Sequence, residues 1–208
     1  MRPYLIGIAG PSGAGKSCLA GHVAARLDAL LINLDSYYCE LTGLSYEERC
    51  RVNFDDPASI DFPLLLEHAR SLAGGRGVEA PIYDFATHAR RPETLRCEPR
   101  AYVIVEGLFT LHWPELRALL STKVFVDLED NVCFRRRLER DVRERGRTPE
   151  SVKTQYDETV RPMAERYVRP TRQFADLVIA GDATLETSAD TVLEHIRQQQ
   201  GSAARHPA

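Results

Sequence analysis

A three-layer α/β/α architecture with about five parallel strands is predicted, and three observations predict it. Short apolar runs alternate with longer helical patterns along the chain, the arrangement of a mostly parallel sheet covered on both faces. The first run, Tyr4-Leu-Ile-Gly-Ile-Ala9, is apolar and β-branched and reads as a buried strand. It passes directly into Gly10-Pro-Ser-Gly-Ala-Gly-Lys-Ser17, a G-x-x-x-x-G-K-S loop, and then into a helix. Strand, glycine loop and helix are the context this motif requires.

The elements follow in order. Leu19, Val23 and Leu27 recur every four residues after the loop, so the segment from Ser17 to Leu27 is amphipathic and helical. Leu30-Leu-Ile-Asn-Leu34 is a second strand. It ends in Asp35-Ser-Tyr-Tyr38, and the carboxyl end of a strand in such a sheet faces the ligand crevice. Ser45 to Arg51 is polar and reads as a short surface helix. Asn53-Phe-Asp-Asp-Pro57 reads as a turn, since Pro57 biases Asp56 towards extended geometry. Phe62 to Ala73 is helical, with Leu65, Leu66, Ala69 and Leu72 on one side and Gly74-Gly75 as its stop.

Glu79 to Pro99 contains three prolines and reads as a small β-hairpin insertion. Tyr102-Val-Ile-Val105 and Lys123-Val-Phe-Val126 return to the main sheet, with a short helix between them over Pro114 to Leu120. Asp130 to Arg147 is a highly charged helix, and a second helix is expected from Pro149 to about Glu165. Leu177-Val-Ile179 is the last strand and Asp190 to Gln199 the closing helix. The expected organisation is one domain over residues 1–200, with the hairpin at 79–99, a helical lid region at 130–165 and a flexible tail at 201–208.

Composition narrows the classes. The chain has 208 residues, 43% hydrophobic, and a formal net charge of −3. That balance supplies no global basic field for nucleic acid or an anionic membrane. No apolar run reaches the roughly 18 residues of a membrane span, and Met1-Arg-Pro-Tyr4 opens no signal-peptide pattern. A cytoplasmic protein is expected. Cys18, Cys39, Cys50, Cys97 and Cys133 form no C-x-x-C pair and fit no zinc spacing, so they are expected to be reduced.

The loop carries the first chemistry. Gly10, Gly13 and Gly15 allow backbone conformations that a Cβ resists, so N–H groups turn inward on one anion. The following helix adds its uncapped donors and partial positive charge. Lys16 supplies a mobile charge for the outer phosphates and the Ser17 hydroxyl a ligand for Mg²⁺. Pro11, Ser12 and Ala14 complete the nucleotide-binding stretch.

Later segments narrow the reading. The loop, Leu34-Asp-Ser-Tyr-Tyr38, Asn53-Phe-Asp-Asp-Pro57, Pro81-Ile-Tyr-Asp-Phe-Ala-Thr-His-Ala-Arg90, Val105-Glu-Gly107, Arg140-Asp-Val-Arg-Glu-Arg-Gly-Arg147 and Gln155-Tyr156 stand in a specific order. From Gly7 to about Asp176 the chain resembles the uridine kinase (uridine-cytidine kinase) family. The resemblance implies a P-loop NTPase fold and phosphorylation of the 5′-hydroxyl of uridine and cytidine by ATP or GTP with Mg²⁺, in pyrimidine salvage. It also implies a homo-oligomer, commonly a tetramer, and end-product inhibition by CTP or UTP.

Site residues are carried over position by position. Asp35 matches the aspartate that accepts the 5′-OH proton, and a carboxylate there also reaches the metal's water shell; the alternative is an Asp that caps the next helix with Ser36. Glu106 resembles a Walker B acid holding Mg²⁺ through water; the alternative is a turn carboxylate. Tyr38, Phe54, Tyr83 and Phe85 match positions lining the nucleoside pocket, Asp55 the carboxylate on the ribose hydroxyls, and His88 the reader of the pyrimidine edge. Core packing is the alternative for each aromatic, and a surface loop for His88. Arg137, Arg140, Arg145 and Arg147 match positions that close over substrate and phosphates, with Arg140 and Lys16 catalytic beside Asp35 and Arg145 on the nucleotide. Gly146 reads as hinge or helix stop, and Gln155 matches a substrate contact. Arg135, Arg136 and Arg143 read as a solvated face with i,i+4 pairs.

Two departures stand out. Asp56 replaces the histidine of the family's Asn-Phe-Asp-His-Pro and adds negative charge near the ribose. Ala180-Gly-Asp182 replaces a Pro-Arg-Gly after the last strand, which leaves ATP against GTP open. Related kinases of pantothenate, nicotinamide riboside or phosphoribulose are the rival enzymes; Tyr83-Asp-Phe85 with His88 favours a pyrimidine nucleoside. A GTP-dependent switch needs D-x-x-G after the third strand and N-K-x-D, and neither occurs. An inactive interaction subunit is disfavoured by intact Lys16, Ser17, Asp35 and Glu106.

Overall fold

Strand β1 (Tyr4–Ala9) runs through the middle of the sheet because its side chains are apolar on both faces. The computed structural model describes residues 2–205. The remaining elements are α1 (Lys16–Leu27), β2 (Leu30–Asn33), α2 (Tyr46–Cys50), α3 (Phe62–Ala73), β3 (Val78–Asp84), β4 (Ala89–Cys97), β5 (Tyr102–Glu106), α4 (Pro114–Arg117), β6 (Thr122–Asp127), α5 (Asp130–Arg145), α6 (Pro149–Gln155), α7 (Arg161–Met163), β7 (Leu177–Ala180) and α8 (Leu185–Arg205).

Five strands form a parallel sheet in the order β2-β5-β1-β6-β7. Ile6 of β1 lies opposite Ile104 of β5, and Ile8 lies opposite Val124 of β6. Successive residues point to opposite faces, and the core divides accordingly. Leu5, Val103, Val105 and Phe125 pack towards α3, α4 and the hairpin. Ile6, Ile8, Ile104, Val124 and Val126 pack towards α1 and α8, where they meet Leu19, Val23, Val192 and Ile196. This is the predicted three-layer architecture with five parallel strands. The chain leaves β1 towards β2 on one side and later crosses to β6 on the other, so a crevice opens at the carboxyl ends of β1, β5 and β6.

β3 and β4 pair antiparallel as a separate two-stranded sheet, Val78 opposite Cys97 and Asp84 opposite Ala89. Two other spans differ from expectation. The helix begun at Pro149 does not end near Glu165; it continues through π-helical turns at Tyr156–Val160 and Ala164–Val168 and a 3₁₀ stretch at Arg169–Phe174. Pro162 and Pro170 each lack an N–H, and the ladder widens or tightens around them instead of stopping. The closing helix begins at Leu185 and runs to Arg205. Within the expected tail, residues 201–205 continue that helix; residues 206–208 lie outside the described residues.

Candidate active site

The loop between β1 and α1 sits at the mouth of the crevice. Gly13 has φ 85°, and a Cβ there would run into the Cys133 carbonyl in the first turns of α5. Only glycine lets the loop pass beneath that helix. Gly15 occupies the N-cap of α1 in a left-handed conformation with no side-chain cap, so the first N–H groups of α1 remain available to an anion. Ala14 N–H donates to the Pro11 carbonyl at 3.1 Å, which closes the loop.

Ser17, in the first turn of α1, donates from Oγ to Glu106 Oε2 at 3.1 Å. Glu106 ends β5 and is 3% exposed. Burial pushes its carboxyl above the ordinary range, Lys16 opposes that, Asp35 adds to it, and the Ser17 bond opposes it again. Asp35 lies on the 3₁₀ turn Leu34–Tyr37 just beyond β2. It does not cap that turn: Asn33 does, accepting the Asp35 N–H at 2.8 Å. Asp35 Oδ1 is buried and has no hydrogen-bond partner. Two carboxylates, a hydroxyl and an ammonium thus converge at the ends of β2, β5 and β1. Hard oxygen donors with a buried oxygen to spare suit Mg²⁺, which takes one or two protein carboxylates together with phosphate oxygens.

The same local device recurs at Asp55. Asn53 Oδ1 accepts the Asp55 N–H at 3.1 Å, and the Asp55 side chain is turned inward to 3.7 Å from the Arg137 guanidinium. Burial raises the Asp55 carboxyl, and Arg137 acts against it. Asp56 behaves differently. Its Oδ1 accepts the Ala58 N–H at 2.8 Å and caps the turn Pro57–Ser59, so its carboxylate serves its own turn.

The aromatic residues form one cluster. Tyr38 lies 4.8 Å from Phe54 and 5.1 Å from Tyr83, ring centre to ring centre. His88 stacks on Phe54 at 5.2 Å with 14° between the planes, and it holds φ 51°, a left-handed conformation, at the hairpin tip. Tyr83 Oη is buried without a partner. Phe85 is 48% exposed, edge-on to Tyr83 at 5.2 Å, with the Arg145 guanidinium 5.9 Å from its ring centre. Burial lowers the His88 imidazole, and Arg49, Arg145 and Arg147 lower it further.

From the opposite wall come the arginines of α5 and the turn after it. Arg137 donates to Ser12 Oγ at 2.9 Å and to Gln155 Oε1 at 3.1 Å. Arg147 donates to the same Gln155 oxygen, so Gln155 braces two guanidinium groups. Gly146 ends α5 at φ 63°. Burial lowers the Arg145 guanidinium, Arg140 next.

Four residues were missed by sequence reasoning. Asp141 is fully buried between Arg137, Arg140, Arg145 and Arg147; its signal was an acid with arginines at i−4 and i+4. Asn33 and Asn53 each stand two residues before a carboxylate, a repeated Asx-turn signature. Arg136 is not part of a solvated face. It donates to the Gly181 carbonyl at 2.8 Å, beside the loop. Gly181 itself packs so closely that a Cβ would lie 2.5 Å from the Ala14 carbonyl oxygen, which seats the Ala180–Asp182 turn against the phosphate loop.

Residues 5–188 match the model of the Phosphoribulokinase / Uridine kinase family. A uridine kinase of Lactobacillus johnsonii is 42% identical over 94% of this chain and 95% of its own length. A uridine kinase of Chloroflexus aurantiacus is 42% identical over 93% of this chain and 94% of its own. Among solved structures, a D-glycerate 3-kinase from Cryptococcus neoformans shares the fold, with a TM-score of 0.57 at 18% identity over 80% of this chain and 79% of that one.

Proposed function

The chain belongs to the phosphoribulokinase/uridine kinase family, and on that premise we propose that it transfers the terminal phosphoryl group of ATP or GTP to the 5′-hydroxyl of uridine and cytidine, giving UMP and CMP. It is a kinase, and its relatives of equal length at about 40% identity carry the name uridine kinase. The observation that carries the acceptor and its orientation is the placement of Asp35. Its buried Oδ1 is free of partners, at the end of a strand that opens beside the phosphate loop.

In this reading the loop Gly10–Ser17 holds the triphosphate through its N–H groups, and Lys16 neutralises the outer phosphates. Asp35 accepts the 5′-OH proton as the oxygen attacks phosphorus. Asp55 holds the ribose hydroxyls. Tyr38, Phe54, Tyr83 and Phe85 give the base an aromatic surface, worth about 1–3 kcal/mol per stacked base, and neutral His88 reads its edge. Arg137, Arg140, Arg145 and Arg147 arrive on the lid and meet the charge that builds on the transferring group. Ser17, Glu106 and Asp35 are the residues that would hold Mg²⁺, which supplies charge neutralisation across the phosphate oxygens. A cytoplasmic homo-oligomer, tetrameric by family resemblance, belongs to the same proposal. Among the described residues no helix is long and apolar enough to cross a membrane.

The test is ADP release from purified protein with uridine, cytidine, adenosine and deoxyribonucleosides, each with ATP and with GTP. Uridine and cytidine are expected to lead. A preference for pantothenate, nicotinamide riboside or a sugar phosphate in the same assay overturns the acceptor, and no ADP with any acceptor overturns the reaction.

A further inference from the structure

Asp141 has 0% exposure and sits among four guanidinium groups. The nearest nitrogens of Arg140, Arg137, Arg145 and Arg147 lie 2.8, 3.5, 3.6 and 3.8 Å from its carboxylate. Their placement follows from helix geometry and one reversal. Arg137 and Arg145 stand four residues before and after Asp141 on α5, on its own face. Arg147 lies beyond the helix, but left-handed Gly146 turns the chain back, and the Arg147 N–H donates to the Asp141 carbonyl at 3.2 Å. The Asp141 carboxylate therefore draws together side chains that would otherwise repel one another.

The pairing is incomplete by design of the charges. The cluster carries three more positive than negative charges among these five side chains. Asp141 Oδ2 and Arg137 Nε are buried without hydrogen-bond partners, although they face each other at 3.5 Å. Arg137 also reaches Ser12 of the phosphate loop at 2.9 Å and approaches Asp55 at 3.7 Å. The set thus touches both sides of the crevice, and its excess charge faces the place where phosphate would bring the balancing anion.

Resting on the phosphoryl-transfer reading above, we propose that Asp141 is a positioning residue: it holds the four guanidinium groups in the arrangement the transferring phosphoryl group needs. It touches no substrate itself. Its removal has a signature that loss of packing does not share. Asp141→Asn adds net positive charge, so attraction for MgATP is kept or strengthened, while the guanidinium groups lose their common anchor and splay. The expected split is kcat lower by about tenfold or more, with the KM for MgATP unchanged or reduced.

The experiment measures kcat, both KM values and thermal melting for wild type, Asp141→Asn and Asp141→Glu. Support is the kcat loss with an unraised KM for MgATP, and an intermediate kcat for Asp141→Glu. The inference is overturned by a kcat within about twofold of wild type, or by a raised MgATP KM accompanied by a lowered melting temperature. If Asp141→Asn does not fold, Asp141→Glu decides alone: a lower kcat at unraised MgATP KM supports positioning, and wild-type kinetics overturn it. A wild type that releases no ADP with any nucleoside instead refutes the phosphoryl-transfer reading, which separates the two failures.

Discussion

Asn33 Oδ1 accepts the backbone N–H of Asp35 at 2.8 Å, and this bond relieves the Asp35 carboxylate of any capping duty. The turn beyond β2 is closed by the asparagine. The aspartate two residues on keeps a buried oxygen without a hydrogen-bond partner.

Asp35→Asn keeps the shape and removes the proposed base. Turnover is expected to fall by about 10²–10⁴-fold while MgATP binding, followed by calorimetry, stays near wild type. Asn33→Ala should lower turnover far less, by about tenfold or under, and destabilise the fold by about 1 kcal/mol, the usual value of a lost cap. Near-wild-type turnover in Asp35→Asn removes Asp35 from the role of base.

Glu106 lends itself to a stability measurement. Its folded carboxyl is held above the ordinary 4.5, first by burial. A raised folded value favours the protonated folded state, so this contribution to stability is complete below about 4.5 and is lost as pH rises through the raised value. Ligand-free protein is therefore less favoured by this group at pH 7.5 than below about pH 4.5. Glu106→Gln should melt at a higher temperature than wild type at pH 7.5, with the gain shrinking towards pH 5. The same variant should need about tenfold more Mg²⁺ for half-maximal activity. A melting difference that is independent of pH contradicts this assignment.

His88 is kept neutral down to a lower pH than usual, by burial and then by Arg49, Arg145 and Arg147. With its value below the ordinary 6.5, the imidazole is mostly neutral at pH 7, the form in which it is proposed to read a base edge. The KM for uridine should change little from pH 8 to 7 and rise on the acid side. His88→Asn keeps a donor and an acceptor and should abolish that acid rise. A rise centred above pH 7 in wild type is incompatible with the geometry.

Arg90 ties the hairpin to the rest of the pocket. From β4 it donates to the Tyr37 carbonyl at 3.2 Å and to Asp61 Oδ2 at 3.1 Å, while Asp61 Oδ1 caps α3 through the Leu64 N–H. Arg90→Ala should raise the KM for uridine by about tenfold and leave the KM for MgATP within about twofold, because the hairpin carrying Tyr83, Phe85 and His88 loses its register against Tyr38. Arg90→Lys should recover only part, since one guanidinium nitrogen serves both acceptors and the shorter lysine side chain does not carry its ammonium to the same point. Equal effects on both substrates would point to general unfolding, and melting curves distinguish the two.

Much of the molecule was legible from local pattern. The loop from Gly10 to Ser17, its flanking strand and helix, and the capped helix after Ser45 each depend on residues within a few positions of one another, and such short-range physics is written in the chain. Asp35, Glu106 and the aromatics of the hairpin could be named because motif order marks them. Helix ends were less legible. Pro162 and Pro170 were absorbed into a distorted helical run that packs Val160, Ala164 and Val168 inward, and tertiary burial outweighed the local breaker.

The amino-acid order by itself determined the three-layer class, the phosphate loop and the identity of the carboxylates near it, because periodicity, glycine placement and strand-end position are local properties. Only the tertiary structure decided the strand order β2-β5-β1-β6-β7, the service of Asp56 to its own turn, the seat of Arg136 on the Gly181 carbonyl and the burial of Asp141 among four arginines. Whether a charged side chain is solvated or buried depends on which distant segments converge on it, and no window of sequence contains those segments together.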